Sequence, residues 1–184
     1  MAVEIEAKIK VERLDVFIPK INRQGGAFLK KVVQKDIFFD RSDGSLLKGD
    51  CGLRLRTESG RGRQKGVLCF KGARQHGLYK QREEIEVTVS DAQQAGELLH
   101  ALGYKMVMVV EKQRRIYRLG VCMVCLDEVA GLGEFIEIEG PGAAAISRVQ
   151  NQLGLSDAPV LHDSYAMMLA QAQGSRNRNP AQKP

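Results

Sequence analysis

The chain has 184 residues, of which 43% are hydrophobic and 27% charged, with a formal net charge of +6 and no tryptophan. A globular chain of this length can bury a closed core without disulfides or a structural metal. It has no run of roughly 18 apolar residues, and charged residues stand where a signal peptide needs its apolar stretch. We therefore expect a cytoplasmic protein with no membrane partner.

Part of the positive charge is concentrated at the C-terminus. Residues 173–184 contain Arg176, Arg178 and Lys183 and no acidic residue. A polar segment with proline and glycine is typical of disorder. We predict one domain over residues 1–172 followed by a disordered basic tail. The domain itself is only mildly basic, which makes nucleic acid an unlikely partner.

Alternation of apolar and polar residues predicts about eight β-strands. The first covers residues 3–11, where apolar and charged residues alternate strictly. The others are predicted at residues 33–40, 52–58, 67–71, 80–89, 107–119, 121–129 and 135–139. Closure into a barrel would remove the exposed edges of so many sequential strands. The expected fold class is α+β: a closed eight-stranded antiparallel β-barrel with helices packed outside.

Four helices are predicted between and after these strands. The clearest begins at a capping box formed by Ser90 and Gln93, continues through apolar residues at helical spacing and ends at Gly103. The other three are predicted at residues 15–24, 146–153 and 164–173.

The predicted strands have one apolar face and one ionic face. In the first strand, Glu4, Glu6 and Lys8 share the ionic face. If the ionic faces pointed to solvent, the helices would have to fill the inside of the barrel, and four short helices cannot do so. We therefore expect the helices to cover an apolar outside while the ionic residues line a wet lumen. Like charges held this close are costly unless the lumen binds a ligand.

The lining residues fall into two groups by sign. The carboxylates offer oxygen ligands of the kind that Mg²⁺ or Mn²⁺ prefers. The lysines and arginines match phosphate oxygens. A polyanion bound as its metal complex fits both groups, and a nucleoside or inorganic triphosphate meets that description. The phosphate-loop and dinucleotide-binding glycine motifs are absent from the sequence.

The motif Glu4-x-Glu6-x-Lys8 resembles the signature of the CYTH superfamily, the triphosphate tunnel metalloenzymes. The resemblance extends over about residues 1–170. Within the superfamily, the pattern of motifs is most similar to the class IV adenylyl cyclase group. Its further motifs are Phe39-Asp40, Asp43-Gly44, Leu53 to Arg56, Phe70 to Gly72, Arg82 to Glu86, Lys112-x-Arg114, Leu126 to Glu128, Gly131 to Gly133, Phe135 to Glu139 and Ser164-Tyr165.

This resemblance implies a tunnel that binds a triphosphate with Mg²⁺ or Mn²⁺. The implied catalytic residues are Glu4, Glu6, Lys8 and Asp127. The implied metal ligands are Glu4, Glu6, Glu137 and Glu139. The implied substrate-binding residues are Lys8, Arg54, Arg56, Lys71, Arg82, Glu86, Lys112 and Arg114.

The motifs do not distinguish between two reactions on a triphosphate. In an adenylyl cyclase, the ribose 3′-oxygen of ATP attacks the α-phosphorus and pyrophosphate leaves. Some class IV cyclases carry a His-Phe pair before the first motif, and no such pair precedes Glu4. Hydrolysis of the terminal phosphate of tripolyphosphate or thiamine triphosphate is therefore the alternative. A non-catalytic polyphosphate- or RNA-binding module is a third reading, which the interleaved carboxylates disfavour for RNA. The sequence is compatible with a monomer or a homodimer.

Overall fold

The computed structural model describes residues 2–60 and 62–177. Within this part of the chain, eight antiparallel strands close into a barrel in the order β1-β5-β4-β3-β2-β6-β7-β8. The strands are β1 (Ala2–Val11), β2 (Ala27–Asp40), β3 (Gly52–Gly60), β4 (Arg63–Lys71), β5 (Lys80–Val89), β6 (Lys105–Leu119), β7 (Cys122–Val129) and β8 (Gly133–Glu139). The predicted fold class is confirmed.

Strand β2 is longer than predicted. It begins at Ala27 rather than at residue 33, and it pairs with β6 from that point. A register shift between Phe28 and Lys30 interrupts the alternation of its side chains. The alternation of apolar and polar residues in the sequence is therefore visible only after this shift, whereas the backbone hydrogen bonds between β2 and β6 begin before it.

Five helices accompany the barrel in the described residues. They are α1 (Phe17–Arg23), α2 (Ser45–Lys48), α3 (Ala92–Ala101), α4 (Ala143–Leu153) and α5 (Tyr165–Asn177). The single-turn helix α2 was not predicted, because four residues show no periodicity. None of the described helices is both long and apolar enough to cross a membrane.

Most of the apolar core lies outside the barrel. Outward-facing Ile9, Val124 and Ile136 are buried against Ile146 and Leu153 of α4. On another side of the barrel, Leu55 of β3 packs against Leu99 of α3. Covering these apolar faces leaves the opposite faces of the same strands to line the lumen.

Helix α5 packs against one end of the barrel rather than its side. Tyr165 and Leu169 join a buried cluster with Val110, Val129 and Phe135. These three strand residues stand two positions from Lys112, Asp127 and Glu137, so they share the inward face. Helix α5 therefore covers this end, and Tyr165 reaches the lumen. The helix continues to Asn177, so the predicted tail begins within it, and residues 178–184 lie outside the described chain.

A truncation in the outer core should be costly. Leu153, the last residue of α4, is 0% exposed, and Leu153→Ala should lower the free energy of unfolding by about 2–5 kcal/mol through lost burial and a cavity. Leu102→Ala, at a leucine that is 65% exposed, is the control and should change it by less than about 0.5 kcal/mol. Urea denaturation measures both, and equal effects would contradict this packing.

Candidate active site

The barrel encloses a cavity of about 300 Å³ whose lining is mainly ionic. All eight strands contribute to it, because alternate residues of each strand face inward. The cavity brings together most of the predicted site residues. Those lining it are Glu4, Glu6, Lys8, Arg54, Arg56, Lys71, Glu86, Lys112, Arg114, Glu137 and Glu139. Arg82 and Asp127 are not among the lining residues.

A buried carboxylate that sequence reasoning missed organises one side of the cavity. Asp36 on β2 accepts hydrogen bonds from Arg56 Nε and Nη2, at 2.6 and 2.8 Å, and from Lys112 Nζ at 2.9 Å. Arg54 Nη1 lies 3.9 Å away. Burial alone would raise the pKa of Asp36, but these cations lower it far below its ordinary range. Asp36 therefore stays ionised and fixes three of the cations.

A second buried carboxylate orients Arg114. Arg114 donates to both oxygens of Asp127, at 2.6 and 2.5 Å, and also to Glu137. The hydroxyl of Tyr165 donates to Asp127 Oδ2 at 3.0 Å. Asp127 is completely buried behind Arg114. Asp127, predicted to be catalytic, is therefore not among the residues that line the lumen, and both of its oxygens are bonded to Arg114.

Two lysines neutralise the carboxylates nearer the closed end. Lys80 Nζ lies 2.5 Å from Glu6 Oε1, a pairing that sequence reasoning missed. Lys8 Nζ lies 3.3 Å from Glu137 and 4.4 Å from the centre of the Tyr165 ring. Lys80 stands two residues before Arg82 on β5, so strand periodicity was the available signal.

Three carboxylates form a group that could hold a divalent cation. Single oxygens of Glu4, Glu6 and Glu139 all lie within 4.8 Å of one another. Burial, followed by the charge of Glu4, raises the pKa of Glu139 to about 8. Burial and a hydrogen bond with Glu84 raise the pKa of Glu4. Oxygen-only donors that repel one another fit a hard cation such as Mg²⁺ or Mn²⁺.

The fourth predicted metal ligand stands apart from this group. Glu137 is engaged by Arg114 and Lys8. These cations lower the pKa of Glu137 well below its ordinary value, although burial opposes them. Its place in the lumen is therefore that of a counter-charge for the lysine and the arginine.

Arg82 is directed to the loops beside the tunnel. Its Nη1 donates to the carbonyl oxygens of Asp50 and Gly72, at 2.5 and 2.8 Å. Its Nη2 donates to Asp50 Oδ1 at 2.9 Å. The arginine thus joins the β2–β3 and β4–β5 connections instead of lining the cavity with Glu84 and Glu86, its neighbours on β5.

The sequence is related to proteins named as adenylate cyclases. The model of the CYTH domain matches residues 2–154. A protein of Methanocaldococcus jannaschii named "Putative adenylate cyclase MJ0240" is 33% identical over 137 residues, covering 74% of this chain and 76% of that protein. Adenylate cyclase CyaB of Aeromonas hydrophila is 28% identical over 181 residues, covering 92% and 90%.

Solved structures share the tunnel fold. PH1819 of Pyrococcus horikoshii superimposes with a TM-score of 0.80 at 30% identity, covering 91% of this chain and 99% of that one. HpAC1 from Hippeastrum, described as a "putative adenylyl cyclase" with a dominant triphosphatase activity, gives a TM-score of 0.69 at 19% identity, covering 93% and 96%. The second likeness supports the fold alone.

Neutralising Asp36 should destabilise the protein strongly. Asp36→Asn leaves the buried cations Arg54, Arg56 and Lys112 without their shared anion, a change that typically costs about 3–5 kcal/mol. Asp15→Asn breaks the exposed pair with Arg13 and should have little effect. Equal denaturation midpoints for Asp36→Asn and the wild type would contradict this arrangement.

Stability of the metal-free protein should depend on the protonation of Glu139. Its pKa of about 8 in the folded state exceeds the value of roughly 4.3 expected for an unfolded chain. The native state then binds the additional proton, so this group's contribution to stability is present at low pH and is lost as pH rises toward 8. Glu139→Gln should flatten this decline in melting temperature, measured in EDTA buffers. Glu83→Gln, at an exposed site, should retain it.

Proposed function

Because the chain belongs to the CYTH domain family, we propose that it is a divalent-metal-dependent enzyme that converts ATP to cyclic AMP and pyrophosphate. Two relatives that cover most of the chain carry the name adenylate cyclase. The main support is that buried cations and a cluster of carboxylate oxygens lie in one cavity. The cations suit phosphate groups, and the carboxylate oxygens suit the metal that accompanies them.

The cations retain capacity for phosphate. Arg54 lines the cavity, and its buried Nε has no hydrogen-bond partner in the described chain. Asp36 holds Arg56 and Lys112 on one side, which sets their direction before substrate arrives. Fixed donors of this kind stabilise charge in a transition state without having to reorganise. We assign Lys8, Arg54, Arg56, Lys71, Lys112 and Arg114 to the triphosphate.

The carboxylates that would hold the metal are Glu4, Glu6 and Glu139. When bound, a divalent metal neutralises phosphate charge and lowers the pKa of an attacking hydroxyl. The chain's own contribution is to hold the triphosphate so that the ribose 3′-oxygen is in line with the α-phosphorus. The cations then stabilise the negative charge that develops on the departing pyrophosphate.

Hydrolysis of the terminal phosphate is the second candidate. The same cations could hold tripolyphosphate or thiamine triphosphate, with water beside the terminal phosphorus. HpAC1, which shares the fold, is described as having a dominant triphosphatase activity, so a cyclase-like barrel is compatible with that reaction. A polyphosphate- or RNA-binding role without turnover is less well supported, because carboxylates line the cavity among the cations and would repel a phosphate backbone unless a metal intervened.

Product analysis tests the assignment directly. Incubation of the purified protein with ATP and Mn²⁺ should release cyclic AMP and pyrophosphate in equal amounts, and EDTA should abolish turnover. Glu6→Gln should lower kcat about a hundredfold or more, whereas Glu83→Gln should leave it unchanged. ADP and orthophosphate without cyclic AMP would contradict the cyclase assignment and support the hydrolase. Full activity in EDTA would contradict both.

A further inference from the structure

One buried hydrogen-bond acceptor in the tunnel has no protein partner. Gln34 lies on β2, is 2% exposed and lines the cavity. Its Nε2 donates to Glu58 Oε2 at 2.7 Å, and Glu58 is held in turn by Lys30. Because an ionised carboxylate only accepts hydrogen bonds, this contact fixes the orientation of the amide. The other amide atom, Oε1, has no hydrogen-bond partner in the described chain.

The chemistry of this oxygen limits what can satisfy it. Buried acceptors in native proteins nearly always have a donor, and an unpaired one calls for an ordered water or a further bound group. An ionised phosphate oxygen is itself an acceptor and cannot fill this role. An O–H or N–H can come from a water molecule or from the part of a substrate that is not phosphate, and only the second would let Gln34 distinguish one ligand from another.

Gln34 lies away from the closed end of the tunnel. Phe38, four residues further along β2, packs with α5 and pairs with Arg54. Gln34 pairs instead with Glu58. Four residues along a strand span roughly 13 Å. The backbone positions of Arg54 and Gln34 therefore lie at different depths of the cavity.

Apolar side chains line the same cavity on the neighbouring strands. Ile116 stands four residues along β6 from Lys112, the partner of Gln34, and it pairs with Cys125 of β7, with Met123 next on the same face of β7. Both apolar residues therefore lie further from the closed end than Gln34. These residues give an otherwise ionic lumen a wall that can contact an uncharged ring. An apolar wall together with one hydrogen-bond acceptor matches a nucleoside better than it matches inorganic phosphate.

We infer that a subsite for the nucleoside part of a nucleoside triphosphate extends along the cavity from Gln34 toward Ile116 and Met123, and that Gln34 Oε1 accepts a hydrogen bond from a hydroxyl or amino group of the nucleoside. This inference rests on the proposed function and adds a specificity determinant to it. Gln34 then separates nucleoside triphosphates from inorganic tripolyphosphate, which carries no such donor.

The test is a comparison of two ligands in one variant. Gln34→Leu should raise the KM for ATP about tenfold and should leave the inhibition constant of tripolyphosphate within twofold of the wild type. Gln113→Leu makes the same substitution at an exposed position and should change neither constant. Equal changes for both ligands, or no change for ATP, would overturn the subsite.

A measurement on the wild type covers the case in which Gln34→Leu does not fold. Purine riboside triphosphate, 2′-deoxy-ATP and 3′-deoxy-ATP each lack one nucleoside donor group, and calorimetry should find at least one of them binding about tenfold more weakly than ATP. Equal affinity for all four would overturn the inference. Conversion of tripolyphosphate without binding of ATP would overturn it and leave a triphosphate enzyme. Failure to bind any triphosphate would overturn the proposed function itself.

Discussion

The pairing of opposite charges inside a closed sheet is the interaction on which this structure depends. Strand alternation sends one set of side chains to the outside of the barrel, where helices cover part of it, and encloses the other, ionic set in the lumen. Buried ions are tolerated only when they are paired and hydrogen-bonded. Lys112 and Arg114 meet this condition through Asp36 and Asp127, two carboxylates that orient these cations.

The pairing is uneven along the tunnel. Asp36 and Glu137 sit among cations that lower their pKa values, whereas burial and neighbouring carboxylates raise the pKa values of Glu4 and Glu139. Lys71 lies beside Glu4 and Arg114 lies near Glu139, yet these cations do not offset burial, and a divalent cation would add the missing positive charge. A metal–triphosphate complex would complete the electrostatics at both places, so the features that limit the stability of the free barrel are the ones that favour binding.

Alternation in the sequence was sufficient to predict the barrel and most of its ionic lining, because period-two patterns identify the two faces of a strand directly. It missed Asp36 and Gln34, since the consecutive apolar residues Ile37, Phe38 and Phe39 obscure which face of β2 is inward. Arg82 lies on the inward face of β5, as the alternation predicts, yet its long side chain reaches the loop that contains Asp50. The alternation shows on which face of a strand a residue lies, but only the folded chain shows which partner its side chain contacts.

The central idea is that metal and triphosphate bind together inside the barrel, and anomalous diffraction tests it most directly. Crystals grown with Mn²⁺ and a non-hydrolysable triphosphate analogue would be measured near the manganese absorption edge. We predict an anomalous peak beside the carboxylates of Glu4, Glu6 and Glu139, with phosphate density against Arg54, Arg56 and Lys112. An empty tunnel, with manganese or phosphate bound only on the outer surface, would contradict this assignment.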